Sequence, residues 1–188
     1  MRRAAMEIAI LGWGSLVWDP RELPREGSWQ TGGQRLPLEF SRVSTDCRLT
    51  LVIDLTHGEW CPTRFVMSRR TDIDDTICDV RAREGTTSRN IGFVDLGAGT
   101  GRGRSGAICS EIRNWCAREG LDGAVWTDLC PNFEDQTGND YSVGNAVAYL
   151  EGLPKAGREA AFRYIRNAPH EVNTSLRREL ERSGLLSR

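Results

Sequence analysis

The chain has 188 residues, of which 39% are hydrophobic and 27% are charged, a composition typical of a globular protein with one sizeable core. Its 25 basic and 26 acidic residues leave a formal net charge of −1, so the composition provides no electrostatic basis for binding nucleic acid or an anionic membrane. No apolar run approaches the roughly 20 residues that span a bilayer. The N-terminal Met-Arg-Arg is followed by too short an apolar run for a signal peptide, and we therefore expect a cytoplasmic protein.

The first half of the chain is predicted to be rich in strands. Strands are predicted at 6–11, 36–43, 47–55 and 63–68, the middle two forming a hairpin, and an irregular loop is predicted at 19–37. The first helix is predicted at 71–84, because apolar residues recur there on one face and acidic residues occupy the first turn. We expect Thr71 to cap this helix and Gly85 to end it.

The second half is predicted to be mainly helical. Strands are predicted at 91–96 and 123–129, a glycine-rich loop at 97–106, and helices at 110–119, 142–151, 155–167 and 173–183. A strand-rich first half followed by gathered helices predicts an α+β fold rather than a regular βαβ alternation. Because no linker is apparent, we expect a single domain over residues 1–188, with a core at about 7–135 and C-terminal helices at about 142–188.

The cysteines and histidines do not form a metal-binding pattern. Only two histidines are present, His57 and His170, and no cysteine stands in a Cys-x-x-Cys pair, whereas zinc sites usually show such pairs. We expect no metal and no other cofactor. The cysteines are expected to be free, mostly buried thiols, and they are Cys47, Cys61, Cys78, Cys109, Cys116 and Cys130.

A glycine turn follows the first predicted strand. In Gly12-Trp13-Gly14-Ser15-Leu16 the glycines allow the backbone to approach a ligand closely, so the turn is a candidate for backbone amides that hold an anion or an oxyanion. The alternative is an ordinary tight turn that contains a serine. A Ser15 or cysteine nucleophile is a weaker alternative. Neither histidine lies in a recognisable catalytic motif that would supply the base, and position 17 lacks the glycine that the G-x-S-x-G nucleophile elbow requires.

Glu84 lies in the last turn of the helix predicted at 71–84. The negative end of the helix dipole disfavours an ionised carboxyl there, and burial in a pocket would raise its pKa further. A carboxyl of that kind suits general acid and base catalysis near neutral pH. The alternative is a solvated glutamate beside Arg81 and Arg83.

The segment 94–106 contains two glycine patterns. Val94–Gly101 matches motif I of S-adenosylmethionine-dependent methyltransferases. Gly101–Gly106 matches the dinucleotide pattern G-x-G-x-x-G, and Asp128, at the end of the next predicted strand, matches the acidic residue that this pattern requires about twenty residues later. The topology argues against both, because these folds need several strands after the glycine turn and only 123–129 follows as a good strand. A glycine-rich surface loop is favoured, in which Arg102 and Arg104 are solvated rather than closed over a substrate carboxylate.

The turn at 12–16 and the helix end at 83–85 together resemble the γ-glutamylcyclotransferase-like family. Its members open with an apolar strand and a Tyr-Gly-Ser-type loop, here Trp13-Gly14-Ser15-Leu16, and carry a helix-ending Glu-Gly about seventy residues later, here Glu84-Gly85. Several strands are predicted between them, as the family's small barrel needs. The resemblance covers roughly residues 7–95, and Trp13 stands where the family usually has tyrosine.

The resemblance implies an α+β fold with a small mixed β-barrel flanked by helices. It implies an enzyme that releases 5-oxoproline from a small γ-glutamyl amine, γ-glutamyl amino acid or glutathione, with Glu84 as the catalytic residue and Trp13, Gly14, Ser15 and Leu16 binding the substrate. The alternatives are a non-catalytic binding module of the same fold or, less favoured, a methyltransferase that uses Gly97–Gly101. The sequence indicates neither the leaving amine nor the oligomeric state.

Overall fold

The computed structural model describes residues 6–187, so residues 1–5, on which part of the signal-peptide argument rests, and Arg188 lie outside the described residues. The strands are β1 (Ile8–Gly12), β2 (Arg25–Val43), β3 (Leu49–Ile53), β4 (Glu59–Ser68), β5 (Ile91–Asp95), β6 (Thr100–Arg102) and β7 (Gly123–Thr127). The helices are α1 (Ser15–Trp18), α2 (Ile73–Glu84), α3 (Gly106–Glu119), α4 (Phe133–Thr137), α5 (Val143–Gly152), α6 (Lys155–Asn167) and α7 (Ser175–Arg182). None of these helices is long and apolar enough to cross a membrane.

The strands form a mixed sheet in the order β3-β2-β4-β1-β7-β5-β6. The sheet is open at both ends of this order, so the expected α+β character is confirmed and the expected barrel is not. The described chain divides into two compact units, one made of residues 6–12, Asp19–Gln34 and Pro62–Leu129, and the other of Trp13–Trp18, Arg35–Cys61 and residues 130–187. The single-domain expectation stays a prediction.

The first unit is built around β1. This strand pairs antiparallel with β4 and parallel with β7, and β5 pairs antiparallel with β7 and with β6. Every residue of β1 is buried, which agrees with its continuous apolar sequence, because a strand covered on both faces needs no polar side. Helices α2 and α3 pack against β5 and β7, and their buried faces include Ile77, Val80, Ile112 and Trp115.

The second unit combines the β2–β3 hairpin with the C-terminal helices. The end of β2 pairs antiparallel with β3, with Leu38 opposite Ile53 and Val43 opposite Leu49. Helix α6 packs against α1, β3 and α5, and α5 packs against α7. The core of this unit is apolar and fully buried, and it includes Leu36, Leu38, Phe40, Leu49, Leu150, Ile165, Leu176 and Leu180.

Three local predictions are wrong in an informative way. The loop expected at 19–37 contains the start of the long strand β2, where Trp115 Nε1 donates to the Gly32 carbonyl at 3.0 Å and Thr63 Oγ1 donates to the Gln34 carbonyl at 2.8 Å. These partners are distant in sequence, whereas the loop is predicted from the local glycine and arginine content alone. The local composition therefore does not reveal the strand. The expected loop at 97–106 likewise contains β6, and α3 begins at Gly106 rather than at 110.

Helix caps decide where the predicted helices begin. Asp72, not Thr71, caps α2, because its carboxylate accepts the Asp74 and Asp75 N–H groups at 2.9 and 3.3 Å. The remaining predicted strands and helices are confirmed, with ends shifted by a few residues. The short helices α1 and α4 have no counterpart in the prediction, because four or five residues carry too little periodicity to be recognised.

Candidate functional site

Glu84 is the last residue of α2 in the first unit. The helix ends there because Gly85 adopts the left-handed conformation, with φ of 62°, and its N–H donates to the Ala82 carbonyl at 3.2 Å. The predicted stop at Gly85 is therefore confirmed, and it places the Glu84 carboxyl at the negative end of the helix dipole.

The Glu84 side chain is largely buried, with only 15% of its surface exposed. The Arg83 guanidinium donates to its carboxylate, with 2.9 Å between Nη1 and Oε1. Burial raises the pKa of Glu84, and the raise is opposed by the charge and hydrogen bond of Arg83 and, less strongly, by Thr127 and Arg21. The alternative of a solvated glutamate is therefore wrong, and a carboxyl whose pKa is raised is a better base than an ordinary glutamate.

Arg83 is itself held in place within the first unit. Its Nε donates to the Asp19 carbonyl at 3.1 Å, and its Nη2 donates to the same oxygen. The Arg83 carbonyl in turn accepts Arg21 Nη1 at 3.4 Å. A guanidinium with several donors in a fixed plane can satisfy both a carbonyl and a carboxylate, so Arg83 fixes the orientation of the Glu84 carboxyl.

The glycine turn belongs to the second unit. Trp13 and Leu16 are buried, with 5% and 4% of their surface exposed, whereas Gly14 and Ser15 are partly exposed. The Val17 N–H donates to the Gly14 carbonyl at 2.9 Å and closes the turn of α1. We therefore expect Trp13 and Leu16 to contact a ligand only through their main chain, whereas Ser15 is exposed enough to contact it through its side chain as well.

Tyr164 of α6 lies directly against this turn and could not be predicted as a site residue from the sequence. A Cβ atom on Gly14 would stand only 2.8 Å from the Tyr164 hydroxyl oxygen. The Tyr164 ring packs edge-on against Trp18 and Phe40, with centroid distances of 5.2 and 6.4 Å, and the Arg48 guanidinium lies 5.4 Å from its centroid. In the sequence Tyr164 is one apolar position of an amphipathic helix, so no local signal connects it with the turn.

Replacing Gly14 with Ala is expected to lower the free energy of unfolding by about 1–3 kcal/mol, because the added methyl group meets the buried Tyr164 hydroxyl. The double variant Gly14→Ala with Tyr164→Phe, which removes that oxygen, is expected to recover most of the loss. Chemical denaturation of the wild type, both single variants and the double variant measures this coupling. Purely additive changes would contradict the contact.

The glycine segment after β5 forms a hairpin turn. Strands β5 and β6 pair antiparallel, with Val94 opposite Gly101, whereas the methyltransferase and dinucleotide folds need a glycine turn between a parallel strand and a helix. Arg102 donates to the Ser88 carbonyl at 2.7 Å, and the Arg104 N–H donates to Asp128 at 2.6 Å. Both arginines are exposed, as expected, and their guanidinium groups also donate to neighbouring protein oxygens, Arg102 to the Ser88 carbonyl and Arg104 to the Asn90 side chain.

The histidines and cysteines show no site of their own. Within residues 6–187 no group of three His, Cys, Asp or Glu side chains is arranged to hold a metal ion. His57 Nδ1 lies 3.3 Å from Asp54, and His170 is largely exposed beside Glu171. All six cysteines are free thiols, as expected, but only Cys61 and Cys116 are buried.

The predicted site residues thus lie in two settings, Glu84 in the first unit and Trp13–Leu16 in the second. Comparisons with protein-family models, with curated proteins and with solved structures found no match.

Proposed function

We propose that the chain is a γ-glutamylcyclotransferase-like enzyme that releases 5-oxoproline from a γ-glutamyl amine, a γ-glutamyl amino acid or glutathione. The observation that carries the proposal is the Glu84 carboxyl, which is largely buried, held by Arg83 and raised in pKa by burial. The sequence resemblance at 12–16 and 83–85 supports the same activity. With it the proposal includes a small mixed β-barrel core and a cytoplasmic location.

The proposed reaction is an intramolecular aminolysis in which Glu84 acts first as a base and then as an acid. The Glu84 carboxylate takes a proton from the substrate α-ammonium group, and the freed amine attacks the γ-carbonyl carbon. A ring C–N bond forms, and Glu84 returns the proton to the nitrogen of the leaving amine as the amide C–N bond breaks. The ring nitrogen then releases its second proton through the same carboxylate to the departing amine, which leaves as an ammonium group. A single carboxyl with a raised pKa suits both transfers, because it is a better base than an ordinary glutamate and still a competent acid.

The turn Gly14–Leu16 is proposed to bind the substrate rather than to react. Its main-chain amides would hold polar groups of the substrate and align the α-amine with the γ-carbonyl. Tyr164 is added to the proposal as a residue that shapes the turn, because its hydroxyl fills the space that a side chain at position 14 would take.

The proposal is tested by assaying 5-oxoproline release from a panel of γ-glutamyl compounds that covers amines, amino acids and glutathione. We expect release from at least one class, with no added metal or cofactor. Tight binding of a panel member without turnover would favour a non-catalytic module of the same fold. Neither binding nor turnover across the panel would overturn the proposal.

Replacing Arg83 with Gln is expected to move the acidic limb of the pH profile of kcat/KM to higher pH. Activity requires ionised Glu84, so the limb follows the pKa of this carboxyl, which burial places above the usual 4.5. Arg83 lowers that pKa, and its removal therefore raises it. Arg81→Gln, which removes an exposed arginine of the same helix, is the control, and a limb that stays in place in Arg83→Gln would contradict the assigned role.

A further inference from the structure

The first unit has an arginine-lined pocket, and one of its lining residues, Arg21, contacts the helix end that carries Glu84. The pocket volume is about 380 Å³, and its lining includes Arg21, Glu22, Arg25 and Arg69. All of these residues belong to the first unit. Three arginines and one glutamate line the pocket, in a chain whose formal net charge is only −1. The positive charge is therefore local to this surface.

The main chain holds the walls of the pocket together. The Arg69 N–H donates to the Pro24 carbonyl at 3.1 Å, which joins the end of β4 to the segment before β2. The Leu23 N–H donates to the Pro20 carbonyl at 3.2 Å, and the Leu23 side chain is buried beneath the segment. The Arg25 guanidinium donates to the Gly27 carbonyl, so the three arginines project from a fixed frame.

Guanidinium donors in the pocket are available to an anionic ligand. Arg21 lies 3.5 Å from Asp19, but both side chains are more than half exposed, and an exposed pair of this kind is weak and readily exchanged. No side-chain partner of Arg69 is found among residues 6–187. Arginine binds carboxylates through two parallel N–H donors, which makes a carboxylate the best-matched ligand for such a pocket.

Arg21 connects this pocket with the proposed catalytic group. Its Nη1 donates to the Arg83 carbonyl at 3.4 Å, and Arg83 binds the Glu84 carboxylate. The charge of Arg21 also reaches Glu84, where it lowers the pKa of the carboxyl. A substrate whose scissile amide lies at Glu84 therefore has a positively charged pocket within the same unit for the group that leaves.

We propose that this pocket binds a carboxylate on the leaving amine, so that γ-glutamyl amino acids are preferred over γ-glutamyl amines that lack this group. The inference rests on the proposed function and names the substrate class within it. Arg21 and Arg69 are the binding residues, and Glu84 keeps its role in proton transfer.

The test compares two substrates that differ by one carboxylate, γ-glutamyl-alanine and γ-glutamyl-ethylamide. We expect the wild type to prefer the alanine compound by about tenfold in kcat/KM, as charge-assisted hydrogen bonds at a partly exposed site allow. The double variant Arg21→Gln with Arg69→Gln is expected to reduce this preference to about twofold or less. Arg89→Gln removes an exposed arginine elsewhere in the first unit, and it is expected to leave the preference unchanged.

The outcomes separate this inference from the proposed function. Turnover of both substrates with equal kcat/KM in the wild type, or an unchanged preference in the double variant, would overturn the carboxylate pocket and leave the cyclotransferase activity intact. Absence of 5-oxoproline from every γ-glutamyl compound would overturn the activity itself. Calorimetric titration of Glu84→Gln with the same two compounds gives the preference as a ratio of Kd values without turnover, and equal Kd values would also overturn the pocket.

Discussion

Replacing Glu84 with Gln is expected to lower kcat/KM for 5-oxoproline release by about 10²–10⁴-fold, the usual contribution of a positioned acid and base. The amide has the size and shape of the carboxyl and retains an oxygen that can accept the hydrogen bond from Arg83. It cannot take a proton from the substrate α-ammonium group or deliver one to the leaving amine. The loss is therefore expected in the chemical step and not in folding.

Three measurements make this result specific. Glu111→Gln, which changes an exposed carboxylate of α3, is the matched control and is expected to retain full activity. Chemical denaturation of Glu84→Gln is expected to show a folded protein, and calorimetry is expected to show that it still binds the substrate. Equal kcat/KM in the wild type and in Glu84→Gln would remove Glu84 from the reaction.

Replacing Glu39 with Ala is expected to lower the free energy of unfolding by about 3 kcal/mol. Glu39 lies on β2 in the second unit and is completely buried. Its carboxyl accepts the Phe40 N–H at 2.8 Å and the Leu176 N–H of α7 at 3.3 Å. Alanine leaves these buried donors without an acceptor, and each such loss costs about 1–3 kcal/mol.

The controls for Glu39 separate its hydrogen bonds from its charge. Glu39→Gln retains an acceptor and is expected to cost about 1 kcal/mol, whereas Glu119→Gln, at an exposed position of α3, is expected to change stability by less than about 0.5 kcal/mol. Equal stability of Glu39→Ala and the wild type in urea or guanidinium denaturation would contradict the buried network.

The pH dependence of stability is a second readout of Glu39. Burial raises its pKa in the folded state, and its hydrogen bonds to the Phe40 and Leu176 N–H groups, together with the nearby Thr174 and Tyr141 hydroxyls, oppose the raise. A carboxyl of this kind stabilises the fold most below its unfolded-state pKa, and the contribution is lost as pH rises through its folded-state pKa. The stability of the wild type relative to Glu39→Gln is therefore expected to fall as pH rises above the usual glutamate range.

The features that depend on neighbouring residues could be predicted from the sequence. The end of α2 is one example, since apolar periodicity, arginines in the last turn and Gly85 together place Glu84 at a helix terminus. The strand β1 is another, because a short apolar run that ends in a glycine turn indicates a buried strand. These signals lie within a few consecutive residues, so they do not depend on how the rest of the chain packs.

The environment of each group was decided only by the tertiary structure. Glu39 alternates with Leu38 and Phe40, a pattern that alone assigns its side chain to a solvent face, yet α7, more than 130 residues later in the chain, covers it. Partners distant in sequence likewise determine the surroundings of Tyr164, Arg69 and the first part of β2. Local sequence determines which elements form, but burial, pKa and the grouping of charges depend on long-range packing, which no short segment encodes.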